Sequence, residues 1–102
     1  MKQQICILGS TGSIGTQALD VISQHPDLYE AYALTANHRW KELAEQARRF
    51  HPAAVVIADE AYYDALTHEL SDMPDVKVYS GSKALEEIVE SESIDMVLTA
   101  MV

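Results

Sequence analysis

Cysteine occurs once in the 102 residues, at Cys6. A lone thiol can form no intramolecular disulfide and no cysteine-based zinc cage. It lies inside the apolar run Ile5-Cys6-Ile7-Leu8, where burial as a small hydrophobe outweighs reactivity. Basic residues are scarce too. Seven Lys and Arg stand against sixteen Asp and Glu, a formal net charge of −9. Such a chain is a poor surface for nucleic acid or an anionic membrane, whose phosphates need Lys and Arg. Any anion it binds must be held locally, by backbone N–H groups, a helix N-terminus and a few placed cations. Long hydrophobic runs are also missing: none reaches the roughly 20 apolar residues of a membrane span. The first strand starts so close to Met1 that no signal or transit peptide is expected, and a cytoplasmic location follows by default. No internal repeat and no low-complexity linker is visible. The chain is short for a doubly wound dinucleotide fold, which has two halves. Its 48% apolar content still suffices for one core.

What is present alternates. Ile5–Leu8 is a continuous apolar run ending in Gly9, as in a strand buried on both faces. Ile14, Ala18, Val21 and Ile22 then recur at helical spacing, and His25-Pro26 ends that helix. Tyr29–Ala36 predicts a second strand. Trp40, Leu43, Ala44, Ala47 and Phe50 form a second helical stripe, closed by Pro52. Ala54–Ala58 predicts a third strand, and Asp59 is placed to cap a third helix carrying Tyr62, Ala65, Leu66 and Leu70. After a loop over Ser71–Asp75, Val76–Tyr79 predicts a short fourth strand. Gly81-Ser82 opens a fourth helix with Leu85, Ile88 and Val89 inside and Glu86, Glu87 and Glu90 outside. Met96–Met101 predicts a fifth strand. Strands alternating with helices imply βαβ units and a parallel sheet. The expected fold is therefore α/β, a Rossmann-like doubly wound parallel sheet of strand order 4-3-2-1-5 with helices on both faces. Its ligand crevice should lie between strands 1 and 5, where the winding reverses.

The segment after strand 1 is Gly9-Ser10-Thr11-Gly12-Ser13-Ile14-Gly15. Its glycines are spaced G-x-x-G-x-x-G rather than G-x-G-x-x-G, with similar mechanics. The first permits a tight turn, the second lets the backbone approach a pyrophosphate, and the third lets the helix pack closely on the sheet. Backbone N–H groups of Thr11–Ile14 should face the phosphates from the helix N-terminus, with hydroxyls from Ser10, Thr11 and Ser13. A glycine-rich turn with no ligand is the plain alternative. The position of the loop, after a first strand and opening a helix, favours nucleotide binding.

NAD-binding folds usually place Asp or Glu at the end of strand 2 to hold ribose hydroxyls. Here Leu34-Thr35-Ala36 is followed by Asn37-His38-Arg39 with no carboxylate. Arg39 can form charge-assisted bonds to a 2′-phosphate, Asn37 and His38 can add donors, and the start of helix 2 favours an anion. NADPH is the expected cofactor, although Arg39 could also be an ordinary surface arginine.

With loop and strand end in place, the sequence resembles the 1-deoxy-D-xylulose 5-phosphate reductoisomerase family. The resemblance is specific over Ile7–Gly15 and Leu19-Asp20-Val21, and continues through His25-Pro26, Ala33-Leu34, His51-Pro52 and Met96–Val102. It implies the N-terminal portion, residues 1–102, of an NADPH-binding domain, with the catalytic and C-terminal domains outside this chain. The implied parent enzyme isomerises and reduces 1-deoxy-D-xylulose 5-phosphate to 2-C-methyl-D-erythritol 4-phosphate in non-mevalonate isoprenoid biosynthesis. It would be a homodimer that takes a phosphosugar substrate, NADPH and a divalent cation (magnesium, manganese or cobalt). Thr11, Gly12, Ser13 and Ile14 match the family's cofactor loop. Asn37, His38 and Arg39 match its 2′-phosphate segment, often Gly-Lys-Asn in the family, with the positive charge moved by one place. Ala100 and Met101 match the strand end beside the cofactor. The family's metal ligands and catalytic groups fall beyond Val102, so no catalytic residue and no metal ligand is expected here. Glu86, Glu87, Glu90 and Glu92 are expected to be a solvated helix face and its exit.

Two other readings fit parts of the pattern. One is the NADP-binding part of a semialdehyde-dehydrogenase-type enzyme, whose nucleophilic cysteine would come from a later segment. The other is a non-catalytic nucleotide-sensing module, which usually carries an acid at the end of strand 2.

Overall fold

The computed structural model describes residues 2–100. Five strands, β1 (Gln3–Leu8), β2 (Tyr29–Ala36), β3 (Ala54–Ile57), β4 (Lys77–Ser80) and β5 (Met96–Thr99), alternate with four helices. The helices are α1 (Ser13–Gln24), α2 (Trp40–Phe50), α3 (Tyr63–Glu69) and α4 (Ser82–Val89). All strand pairs are parallel, in the order β4-β3-β2-β1-β5. The expected order is thus observed. Strand ends differ from expectation by one to two residues, where pairing rather than apolar character decides. Gln3 and Gln4 join β1 by pairing with Tyr29 and Glu30.

Punctuation residues act where expected. α1 stops at Gln24, before Pro26. α2 ends on His51, which adopts a left-handed conformation (φ 49°) just ahead of Pro52. The Asp59 carboxylate accepts from the Ala61 N–H at 3.0 Å, capping a single 3₁₀ turn (Glu60–Tyr62) that leads into α3. An acceptor at that position satisfies one of the unpaired donors of a helical start.

Side-chain alternation divides the core between two faces. Ile5, Ile7, Leu34, Ala36, Val55 and Ile57 point to one face, against Leu19 and Ile22 of α1, Leu43, Ala44 and Ala47 of α2, and Leu66 of α3. Cys6, Ala33 and Ala54 point to the other, under Ile88 and Val89 of α4. An irregularity in the β1–β2 register, Ile5 opposite Ala31 but Cys6 opposite Ala33, inserts Tyr32 as an extra residue. Tyr32 and Ala33 therefore both serve the second face.

In α1 the inward stripe is rotated from the one expected. Gly15, Leu19 and Ile22 are buried, whereas Ile14 and Val21 are 57% and 50% exposed. The close approach of Gly15 to the loop before it sets which side of the helix meets the sheet, and residues 15, 19 and 22 share that side at helical spacing. Similarly, Leu85, Ile88 and Val89 of α4 face inward but are only half-buried. No helix among the described residues is long and apolar enough to cross a membrane.

Candidate functional site

Three strand ends meet at the point where the sheet reverses. β1 lies between β2 and β5: the connection leaving β1 runs towards β2, and after β4 the chain crosses back to enter on the other side of β1 as β5. In open parallel sheets ligands bind beyond the carboxyl ends of the strands at such a point. A concavity of about 550 Å³ lies at the opposite end of the strands, lined by Gln4, Glu30, Tyr32, Pro52 and Asp75. A smaller groove of about 300 Å³ runs between α1 and α2 and is bordered by Thr11 and Gln46. Topology points instead to the carboxyl end of β1, where the loop bordering that groove carries donors with no acceptor among the described residues.

The three glycines differ in what requires them. Gly9 has φ +83°, which glycine adopts without strain. A Cβ on Gly15 would overlap the Gly9 carbonyl oxygen and lie 2.7 Å from Ser10 Cα, so α1 can reach the loop only without a side chain there. Gly12 has neither constraint. Its φ is −78°, and a Cβ would sit 3.6 Å from the Gly9 oxygen and 4.0 Å from the Ala100 oxygen, in ordinary contact. Nothing inside the described chain demands a glycine at residue 12. Close approach of another molecule would demand one.

Gly9 N–H donates to Thr35 Oγ1 at 3.0 Å, Ser10 N–H to the Thr35 carbonyl at 2.8 Å, and Gly12 N–H to the Gly9 carbonyl at 3.2 Å. Among the described residues, the N–H groups of Thr11, Ser13, Ile14 and Gly15 find no acceptor. The donor set thus differs from the expected Thr11–Ile14, because Gly12 is turned back into the loop. Ser13 and Ile14 are exposed, with Thr11 partly so.

Ser10 faces the other way. It is completely buried, and its hydroxyl donates to Gln46 Oε1 at 2.7 Å. Gln46 Nε2 in turn donates to the Ser10 carbonyl at 2.8 Å. The Ser10 hydroxyl therefore anchors the loop to α2 instead of lining the crevice. Neither Thr35 nor Gln46 stood out in the sequence, yet both left a trace. Thr35 is a polar residue among buried apolar neighbours on β2, and Gln46 falls three residues after Leu43 on the inward side of α2.

At the end of β2, Asn37, His38 and Arg39 are all exposed. Their backbone is held. The Asn37 carbonyl accepts from Asp59 N–H at 2.9 Å, and the Arg39 carbonyl accepts from Leu43 N–H at 3.1 Å in the first turn of α2. Arg39 immediately precedes α2 and has no ion-pair partner among the described residues. The end of β5 completes the arrangement. Ala100 is buried, donates its N–H to the Leu8 carbonyl at 2.8 Å and abuts Gly12. Met101 lies outside the described residues.

Cys6 sits on the second face, away from the loop. Burial pushes its thiol from 9.0 up to about 11, so it is neutral and unreactive at physiological pH. Among the described residues no three His, Cys, Asp or Glu side chains converge as a cation site.

Comparison with known proteins places this geometry. The family model described as 1-deoxy-D-xylulose 5-phosphate reductoisomerase matches residues 5–102. The 1-deoxy-D-xylulose 5-phosphate reductoisomerase of Phocaeicola vulgatus is 67% identical over 102 residues, covering 100% of this chain and 26% of the relative. That of Porphyromonas gingivalis is 50% identical over the same span. Among solved structures, a DOX-P reductoisomerase in complex with NADPH, fosmidomycin and magnesium superposes with a TM-score of 0.91 at 37% identity, covering 97% of this chain and 24% of that one. The Zymomonas mobilis enzyme in complex with NADPH superposes with a TM-score of 0.81 at 39% identity, over 85% of this chain and 23% of that one. The chain thus spans about a quarter of the length of the curated relatives it matches. These matches favour neither a semialdehyde dehydrogenase nor a sensing module. Glycine loop, strand order and full-length sequence match agree: this chain belongs to the 1-deoxy-D-xylulose 5-phosphate reductoisomerase family.

Proposed function

We propose that residues 1–102 are the N-terminal portion of an NADPH-binding domain. The parent protein would isomerise 1-deoxy-D-xylulose 5-phosphate and reduce the product to 2-C-methyl-D-erythritol 4-phosphate, a step of non-mevalonate isoprenoid biosynthesis. The observation that carries the cofactor assignment is Gly12, a glycine that neither φ nor packing requires, set among N–H groups with no acceptor in the described chain. A pyrophosphate fits both facts. It would receive hydrogen bonds from Thr11, Ser13 and Ile14 at the N-terminus of α1, where the helix dipole also favours an anion.

The adenosine end falls to Asn37, His38 and Arg39. Arg39 is a cation with no carboxylate partner among the described residues, at the start of α2, and is suited to a 2′-phosphate. Gly9 and Gly15 shape the loop, Ser10 anchors it, and Ala100 closes the crevice beside Gly12. NADPH, when bound, supplies the hydride, while this chain's residues hold and orient it. The divalent cation, the phosphosugar and the homodimer contacts would fall to the remainder of the parent enzyme.

Ligand-observed NMR with adenosine 2′,5′-bisphosphate against AMP tests the assignment. The bisphosphate should bind more tightly, and Arg39→Ala should erase the difference. Equal binding of both nucleotides would remove the NADPH preference. Gly12→Ala should leave stability nearly unchanged or raise it by a few tenths of a kcal/mol, while weakening bisphosphate binding. Unimpaired binding by that variant would overturn the phosphate loop.

A further inference from the structure

We infer that Gln46, on α2, is a positioning residue that sets the phosphate-facing orientation of the glycine loop, a role that rests on the cofactor site proposed above. The inference comes from reciprocal bonding between Gln46 and Ser10. Gln46 Nε2 donates to the Ser10 carbonyl at 2.8 Å, while Ser10 Oγ donates to Gln46 Oε1 at 2.7 Å. The orientation of the amide is dictated. A backbone carbonyl can only accept, so the nitrogen must face it, and the oxygen is left to receive the hydroxyl proton. Rotating the amide by half a turn would set two acceptors against each other.

The consequence lies in the next peptide. No peptide bond among the described residues is cis. In a trans unit the carbonyl and the following N–H point in opposite directions. Holding the Ser10 carbonyl on Gln46 therefore aims the Thr11 N–H away from α2, and that N–H is one of the four without an acceptor among the described residues. The Ser10 N–H is fixed as well, on the Thr35 carbonyl at 2.8 Å. Both peptide groups flanking residue 10 are thus clamped, one by β2 and one by α2.

Gln46 also links the two halves of the site. Its helix begins at Trp40, directly after Asn37, His38 and Arg39, and its amide grips the loop that would hold the pyrophosphate. The 2′-phosphate segment does not depend on the clasp, because the Ala36 and Asn37 carbonyls are held by Ala58 and Asp59 N–H groups at 2.8 and 2.9 Å. Loss of Gln46 should therefore affect one end of the cofactor and spare the other.

Two probes separate the ends: NADPH, which spans both, and adenosine 2′-monophosphate, which reaches only the segment after β2. Gln46→Met keeps side-chain length and removes both hydrogen bonds. It should weaken NADPH binding about tenfold, as expected for losing one or two hydrogen bonds that orient a donor. Adenosine 2′-monophosphate binding should stay within about twofold. Ser10→Ala removes the hydroxyl half only and should weaken NADPH by a smaller factor, about threefold. It also serves as the test if Gln46→Met does not fold. Equal weakening of both probes, or a lowered melting temperature with unchanged NADPH affinity, would mean that the clasp is only structural and would overturn the inference. Failure of the unsubstituted protein to bind NADPH would instead remove the cofactor site, and the positioning role with it.

Discussion

The two faces of the sheet are unequal. One is covered by α1, α2 and α3 and holds the completely buried Ile7, Leu34, Val55 and Ile57. The other is covered by α4, a helix with no fully buried residue, and its outer strands leave Tyr79 45% and Val97 41% exposed. The cause is topological. Right-handed crossovers from β1 through β4 run in one direction and place three helices on one side. The single connection that returns to β5 crosses the other side with only one. Stability in this chain therefore belongs to one face, and the glycine loop is fastened to it through α1 and the Gln46 clasp on α2.

That contrast can be broken experimentally. The largest effect is expected from Leu34→Ala, which empties the crowded face. It should cost about 2–5 kcal/mol in urea denaturation, as for other leucines truncated in full cores. A much smaller loss would mean that the three-helix face is loosely packed. Next comes Cys6 on the thin face. Its thiol is raised above its unfolded value, so the folded state holds the proton longer. Stability should be unaffected by this group below pH 9.0 and decline as pH rises from there toward about 11. Cys6→Ala should flatten that decline, on the order of 1–3 kcal/mol for a buried thiol. An unflattened curve would show that water reaches Cys6 beneath α4. The smallest effect is expected from Val97→Ala, about 0.5 kcal/mol or less, since so much of this side chain already meets solvent. A cost comparable to that of Leu34→Ala would equalise the faces.

Much of this was legible from residue order alone. Continuous apolar strands, glycine spacing and prolines after helices led to the strand order and to the location of the crevice. What escaped was rotational and reciprocal. The expected stripe in α1 counted Ile14 and Val21 as inward, because apolar character does not reveal which side a helix docks on. The docking contact of Gly15 with the Gly9–Ser10 backbone decides that. Ser10 looked like a phosphate ligand because its hydroxyl stands in the loop. Its partner Gln46 lies 36 positions away, and a pairing of that range leaves no local pattern. Asn37, His38 and Arg39 lie exposed directly after β2, as their place in the sequence implied, because that position rests on one strand end alone.

The placement of β1 between β2 and β5 has a consequence for how the molecule is made. β1 pairs with β2 early in the chain, but its other neighbour, β5, supplies Met96 opposite Ile5, and Asp95 just before β5 supplies its carboxylate to the Gln4 N–H across 91 positions. During synthesis the outer edge of β1 must wait, on the order of seconds at ribosomal speed, while β3 and β4 emerge and dock on the far side. Among the described elements the crevice is thus the last to be assembled. Until then Ile5 and Ile7 present an open backbone edge of the kind that recruits stray strands. Any ligand that prefers the completed crevice would pull this late step forward by mass action, acting as a folding ligand.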